Sequence, residues 1–369
     1  MSLAQASSTF RVFQFDAKLD AKSALEAFAA DAIAPIETLN VDPLSGWATP
    51  RFLVDREITD ETCHVGKFLH LFLTKAQRRI PSSLLRTYCR MEELAFMRDN
   101  GMKSVNRRQR QEIKDAMAKR MLPKMPPTLQ GVEIAVDLDR NLLYTDATGD
   151  RQVDAVAVAF ARSARTALVP LDAAGAAMRM FAVQPEQLEP ASFTPEDNGD
   201  FVVNDIGLDF FTWLYWRFRT GDNSFEIDAG RQSVTVELDG PISLVLQGQG
   251  AFRTSLQDGT PLFSAEAKTA LLGGKKVSGF KMALEIGGEK YTSSVSAPLF
   301  ALRSVKPPAT DANRDENAAF LDHMLGLQTF ADAFYGLYGS FLRLRADSAA
   351  WGKTVAAIRK WMPGMDEKA

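Results

Sequence analysis

The sequence predicts an α+β fold in which mixed and antiparallel sheets alternate with long helices, and three observations point to it. The chain opens with a strand pattern followed directly by a helical one. Tight turns at Asp139-Arg140-Asn141 and Gly287-Gly288 join alternating segments as hairpins. Long stretches with apolar residues three and four apart lie between the strand segments.

Taken in order, Arg11-Val12-Phe13-Gln14-Phe15 alternates and reads as a strand, and residues 22–33, with Leu25, Phe28 and Ala32 on one face, read as a helix. Gly46-Trp47-Ala48-Thr49-Pro50 reads as a turn-rich stretch, and residues 64–74 as a strand running through His70-Leu71-Phe72-Leu73. Pro81-Ser82-Ser83 starts a helix that carries Leu84, Leu85, Tyr88, Met91, Leu94 and Met97 and stops at Asn100-Gly101. A second helix spans residues 105–122 and ends before Pro123. Residues 132–138 and 142–146 form a hairpin, residues 153–166 a helix, and Leu168-Val169-Pro170-Leu171 a short strand.

Residues 191–200 are polar and Pro-containing, a linker candidate. Residues 210–218 place Phe, Trp and Tyr on every face of a helix, which must therefore be buried. Strands follow over 225–246 and 276–302, with a short helix at 264–272 between them. After Lys306-Pro307-Pro308 comes a long helix whose stripe of Phe320, Met324, Leu327, Phe330, Phe334, Leu337, Phe341 and Leu344 serves either an internal core or a subunit seam.

At 369 residues and 46% hydrophobic content the chain can bury a sizeable core over two or three domains. The expected regions are an N-terminal α+β part (1–190), a β-rich centre with the aromatic helix (201–305) and a helical end (311–363). The first fifteen residues lack the charged and apolar regions of a secretory leader, and no later segment of about 18 residues is free of charge. A cytoplasmic location with no membrane partner is the expectation. Two cysteines and three histidines make a poor disulfide framework or zinc set, so no metal and no cofactor is expected.

The net charge of −3 hides a strong asymmetry. Residues 75–124 hold fourteen Lys or Arg against five Asp or Glu, a net of +9, which leaves 29 positive and 41 negative charges, −12, for the rest. A basic block within an acidic chain marks a localised polyanion site. If the second helix begins near residue 103, Lys103, Arg107, Arg110 and Lys114 share one face, and Arg108, Lys119, Arg120 and Lys124 widen the positive surface. Glu112 and Asp115 are the acids within this run. Such a surface grips phosphates and carries little sequence information. Aromatics do not interleave with it, apart from Tyr88 and Phe96 upstream, which favours duplex over single-stranded DNA.

Gly46-Trp47-Ala48-Thr49-Pro50, Arg79-Ile80-Pro81-Ser82, the charged helical stretch, Leu122-Pro123-Lys124, the hairpin and Leu168-Val169-Pro170-Leu171, in that order, resemble the RdgC family of recombination-associated nucleoid proteins. The resemblance is clearest over residues 46–171 and weaker over 242–344. It implies a homodimer closed into a ring around double-stranded DNA, bound without sequence preference in the nucleoid during recombination and replication, and able to restrain a RecA-type recombinase. The surface from Lys103 to Lys124, with Arg78 and Arg79 beside it, would line the hole. Met125 and Pro126, with Phe330, Phe334 and Phe341, are the candidate dimer contacts. The family can carry an aromatic near Pro126 that helps latch the ring, where this chain has Met125-Pro126-Pro127, and residues 201–237 look additional to the shorter members.

Catalysis is the rival reading. Glu112-Ile113-Lys114 and Asp137-Leu138-Asp139 have the form of Mg²⁺-holding motifs of an exodeoxyribonuclease. The first lies within the basic helix and the second borders a turn that favours Asp for its own reasons. No catalytic residue is therefore assigned. Gly273-Gly274-Lys275-Lys276 lacks the first glycine and the hydroxyl of a phosphate loop and reads as a turn entering a strand. A protein-binding scaffold would require the aromatic helix to expose an apolar patch.

Overall fold

Alternating residues near the N-terminus form β1 (Ser8–Gln14), and this one strand serves two sheets. In the computed structural model, which describes residues 3, 7–40, 42–194, 204–227, 230–246, 252–297, 299–308 and 315–365, Ser8 and Phe10 pair antiparallel with Val305 and Leu302 of β13 (Ala301–Lys306). Arg11 to Gln14 pair instead with Thr145 to Leu142 of β6 (Leu142–Thr145).

From β6 the first sheet runs through β5 (Pro127–Asp137) and β4 (Phe68–Arg78) to β2 (Leu44–Ala48). The short strand β3 (His64–Val65), which follows the single turn α2 (Asp60–Cys63), pairs with β4. From β13 the second sheet runs through β12 (Glu289–Ser296), β11 (Lys276–Ile286) and β9 (Gln232–Leu246) to β10 (Phe252–Leu256), with β8 (Ser224–Ile227) also on β9. The pairings between named strands are antiparallel, so the α+β class holds.

The expected turn at Gly46-Trp47-Ala48 is β2, an edge strand. A Cβ at position 46 would lie 2.5 Å from Ile33 Cα, so glycine lets residues 31–33 run against the strand, where Ile33 N–H bonds to Trp47 O at 2.9 Å. What composition marks as a turn is a close backbone approach.

One face of the first sheet packs on α1 (Ala21–Ala30) and α5 (Asp150–Ala164), with Phe28 against Trp47 at 5.1 Å and Phe15 against Phe160 at 5.3 Å. The other face meets α9 (Glu316–Ala346), whose Phe320 stacks on His70 of β4 at 4.0 Å. Further along, α9 packs on α7 (Ile206–Arg219) over the second sheet. Phe210 lies 5.9 Å from Phe334, 5.5 Å from Phe341 and 5.1 Å from Tyr338. The aromatic helix is thus buried from Ile206 to Tyr215, as its composition demands, and shows no exposed apolar patch for a protein-binding scaffold. Phe330, Phe334 and Phe341 have no exposed surface. They belong to the internal core, because α7 occupies the face that a partner subunit would need, and so they are not dimer contacts.

The last helical stretch breaks at Asp347, which ends α9 and caps α10 (Ser348–Trp361) by accepting from the N–H groups of Ala349 and Ala350. Three elements escape the sequence patterns: the single turn α2, α6 (Ala173–Phe181) and β10. In the chain, α8 (Ala265–Leu272) lies between β10 and β11, near its expected place, while β7 (Val169–Pro170) pairs with β1. Much of the expected linker, residues 195–200, lies outside the described residues, as do 201–203 and 228–229 of the additional segment.

Candidate nucleic-acid interface

Between Arg78 at the end of β4 and Pro127 at the start of β5, which are register partners, the chain leaves the sheet as a helical arm. Its helices are α3 (Ser82–Asp99) and α4 (Arg107–Met121). Pro81 precedes the first, and Gly101, at φ +62°, turns the chain out of it in the left-handed region. Asn106 and Gln109 form a reciprocal cap on the second: Asn106 Oδ1 accepts from Gln109 N at 2.9 Å and Gln109 Oε1 from Asn106 N at 3.0 Å. This cap places the helix start at Arg107, so Lys103 lies before the helix and outside the helical stripe expected of it.

The arm has its own small core. Val105, Ile113, Met117 and Met121 are buried against Leu84, Leu85, Cys89, Phe96 and Met97, apart from the two larger cores. Because Ile113, Met117 and Met121 turn toward α3, helical geometry sets Arg107, Arg110 and Lys114 along one flank of that contact and Gln109, Ala116 and Arg120 along the other.

The two flanks differ. On the first, Glu93 of α3 lies buried, with Oε1 3.2 Å from Arg110 Nε and Oε2 3.3 Å from Arg90 Nη1. On the second is a cleft of about 260 Å³ lined by Glu92, Phe96, Glu112 and Arg120 among others, with Arg120 3.6 Å from Glu92.

Acids from α3 therefore compensate part of the stripe. Arg108 pairs with Glu112 at 2.9 Å, and Arg110 and Arg120 pair across the helices. Sequence order hides this, because Glu92 and Glu93 sit on the preceding helix. Arg78 is half-buried and donates to the carbonyl oxygens of Met125 and Leu39, bracing the base of the arm. Arg79, Lys103, Arg107, Lys114, Lys119 and Lys124 are exposed and form no ion pair among the described residues. Met125 is half-buried and Pro126 exposed where the arm returns to the sheet.

Arg90 and Glu93 are functional candidates that the pattern of the basic helix alone does not single out. The signal was present: Glu93 stands four residues after Cys89 and three before Phe96, a carboxylate on an apolar helix face, and such a group needs a partner.

The candidate metal motifs are otherwise engaged. Asp137 is fully buried; its Oδ1 accepts from the N–H groups of Asp139 and Arg140, both at 3.1 Å, and its Oδ2 accepts from Gln328 Nε2 at 2.5 Å and faces Lys67 Nζ at 3.1 Å. Glu112 pairs with Arg108. Among the described residues no three His, Cys, Asp or Glu are placed to hold a metal ion. Burial raises the thiol pKa of Cys63, and burial together with Glu93 raises that of Cys89, so both thiols stay protonated at neutral pH. Among the described residues no helix is long and apolar enough to cross a membrane.

Residues 8–185 match a protein-family model described as "Putative exonuclease, RdgC". This span contains the whole helical arm and the sheet that carries it. No curated protein matches the chain.

Proposed function

Because residues 8–185 belong to the RdgC family of recombination-associated nucleoid proteins, we propose that this protein binds double-stranded DNA through its backbone, without sequence preference and without cleaving it. The observation that carries the reading is the placement of the unpaired cations. Arg79, Lys103, Arg107, Lys114, Lys119 and Lys124 are exposed on or beside one arm that stands out from an otherwise acidic chain. Clustered cations repel one another, and a polyanion offsets that repulsion by exchanging its condensed counterions for them. A short, capped hairpin with its own core holds these charges at fixed spacing, so little ordering is required on binding. Duplex is favoured over single strands because the basic flank carries no aromatic stacking surface.

On the same reading the protein works in the nucleoid as a homodimer that encircles or cradles the duplex and restrains a RecA-type recombinase. The dimer contacts fall to Met125 and Pro126 rather than to the buried α9 phenylalanines.

The family description favours a second reading, exonucleolytic cleavage. It is weaker for this chain, because both oxygens of Asp137 are committed to internal partners and Glu112 pairs with an arginine of its own helix.

One experiment separates the two: binding to a fluorescent random-sequence duplex across a salt series, with Mg²⁺ present and the DNA recovered on a gel. Intact DNA with affinity falling steeply as salt rises is expected. Shortened DNA would replace binding with cleavage, and an affinity indifferent to salt would remove the arm from the interface.

A further inference from the structure

Arg90 and Arg110 come from different helices, lie 20 residues apart in sequence, and converge on the same carboxylate. Glu93, with a side chain only 10% exposed, contacts each through a different oxygen, while the two arginine side chains are 63% and 62% exposed. Each guanidinium engages the carboxylate through one nitrogen and turns most of its surface to solvent. A guanidinium presents several donors in a fixed plane, so anchoring one edge orients the rest. The charge of Lys114 is felt at Cys89, one turn before Glu93, which places a third cation nearby.

We propose that Glu93 is a positioning residue that holds Arg90 and Arg110 side by side as a two-helix clamp for one backbone phosphate, and that Arg90 is thereby a DNA contact. This rests on the duplex-binding reading above. An exposed arginine otherwise loses side-chain rotamer freedom when it grips a phosphate; here the buried carboxylate has already fixed both. The clamp also locks α3 to α4, so the phosphate is read by the arm as a unit.

Charge alone predicts the opposite effect of removing Glu93, which makes the test sharp. Glu93→Gln adds one net positive charge to the basic block, so simple attraction would tighten binding. Positioning requires Glu93→Gln to weaken duplex binding by about tenfold, the scale of one charge-assisted contact, with an unchanged circular-dichroism spectrum. Glu112→Gln removes an exposed carboxylate from the same block and should bind as tightly as the parent or more so. Arg90→Ala should lose about tenfold and lower the salt slope by about one, whereas Arg98→Ala, on the outer face of α3 beside Asp99, should lose far less.

Glu93→Gln binding as tightly as the parent or tighter overturns the inference while leaving duplex binding intact. If Glu93→Gln unfolds, equal losses for Arg90→Ala and Arg98→Ala overturn it instead. A parent protein that does not bind duplex at all overturns the underlying reading.

Discussion

Arg140 and Asp332 face each other across the join between the first sheet and α9 in a two-pronged ion pair, with oxygens 2.6 and 2.9 Å from the guanidinium nitrogens. One helical turn earlier, Gln328 accepts from Lys67 Nζ at 2.7 Å and donates to the buried Asp137. The helix is thus fastened to the β5–β6 turn by polar contacts at this end and by aromatic packing toward α7. The two fasteners should differ in strength. Arg140→Ala is expected to cost about 1 kcal/mol, because both side chains are partly solvated. Gln328→Leu leaves Asp137 short of a donor in the interior and is expected to cost about 2 to 3 kcal/mol. Urea unfolding of the two variants checks the order, and equal costs would contradict it.

Phe334 fills the space between Phe210 and Phe300, 5.9 and 5.0 Å away. Its replacement by alanine should destabilise the chain by about 3 to 5 kcal/mol while leaving the molecular mass in solution unchanged for whatever fraction stays folded. A shift in mass at constant thermal midpoint would return the α9 stripe to the role of a subunit seam.

Burial pushes the Asp146 carboxyl up to about 6, from an ordinary value near 3.8; the Glu133 N–H that donates to it at 2.9 Å works against the shift, and the Glu133 carboxylate adds to it. A carboxyl raised in this way contributes stability that is fully present below its unfolded pKa and is lost as pH rises through 6. Asp146→Asn should therefore stabilise the protein at pH 7, by up to roughly 3 kcal/mol for a shift of about two pH units, and make no difference near pH 3.5. Burial also lowers the pKa of His323, which bonds Ser8 Oγ at 2.9 Å, so its contribution has the opposite sign and is lost as pH falls through its folded pKa. Denaturation of parent and Asp146→Asn at several pH values isolates the first term, since His323 is common to both.

The arm supplies a graded series. Arg107→Ala with Lys114→Ala removes two exposed cations without ion pairs and should reduce the salt slope of duplex binding by about two, equally for all sequences. Arg108→Ala with Arg120→Ala removes two cations that already face Glu112 and Glu92, so a smaller change is expected. Equal slopes for the two double variants would show that pairing on the free arm does not govern what the DNA meets.

Local order was legible where one pattern dominated. The apolar periodicity of residues 320–344 marked α9, the Gly287-Gly288 turn marked the β11–β12 hairpin, and the cap region before Ser82 marked α3. Two kinds of feature were not. Gly46 reads as a turn because composition cannot separate a bend from a place where another backbone passes within contact distance. The compensation of the basic stripe was hidden because Glu92 and Glu93 reach it across a helix–helix contact, which a wheel drawn for α4 alone omits. Lys103 was misplaced for a smaller reason, the reciprocal cap at Asn106 that starts α4 at Arg107.

The division of β1 between two sheets also bears on synthesis. Ser8 and Phe10 are translated almost 300 residues ahead of their partners Val305 and Leu302. Arg11 to Gln14 can find β6 once residue 145 has emerged, and from then on the preceding half of the strand is an open edge. The nascent chain must carry that edge through the translation of some 160 further residues, so closure of the sheet, a contact of very long sequence separation, is the natural slow step of folding and the point of greatest exposure to aggregation.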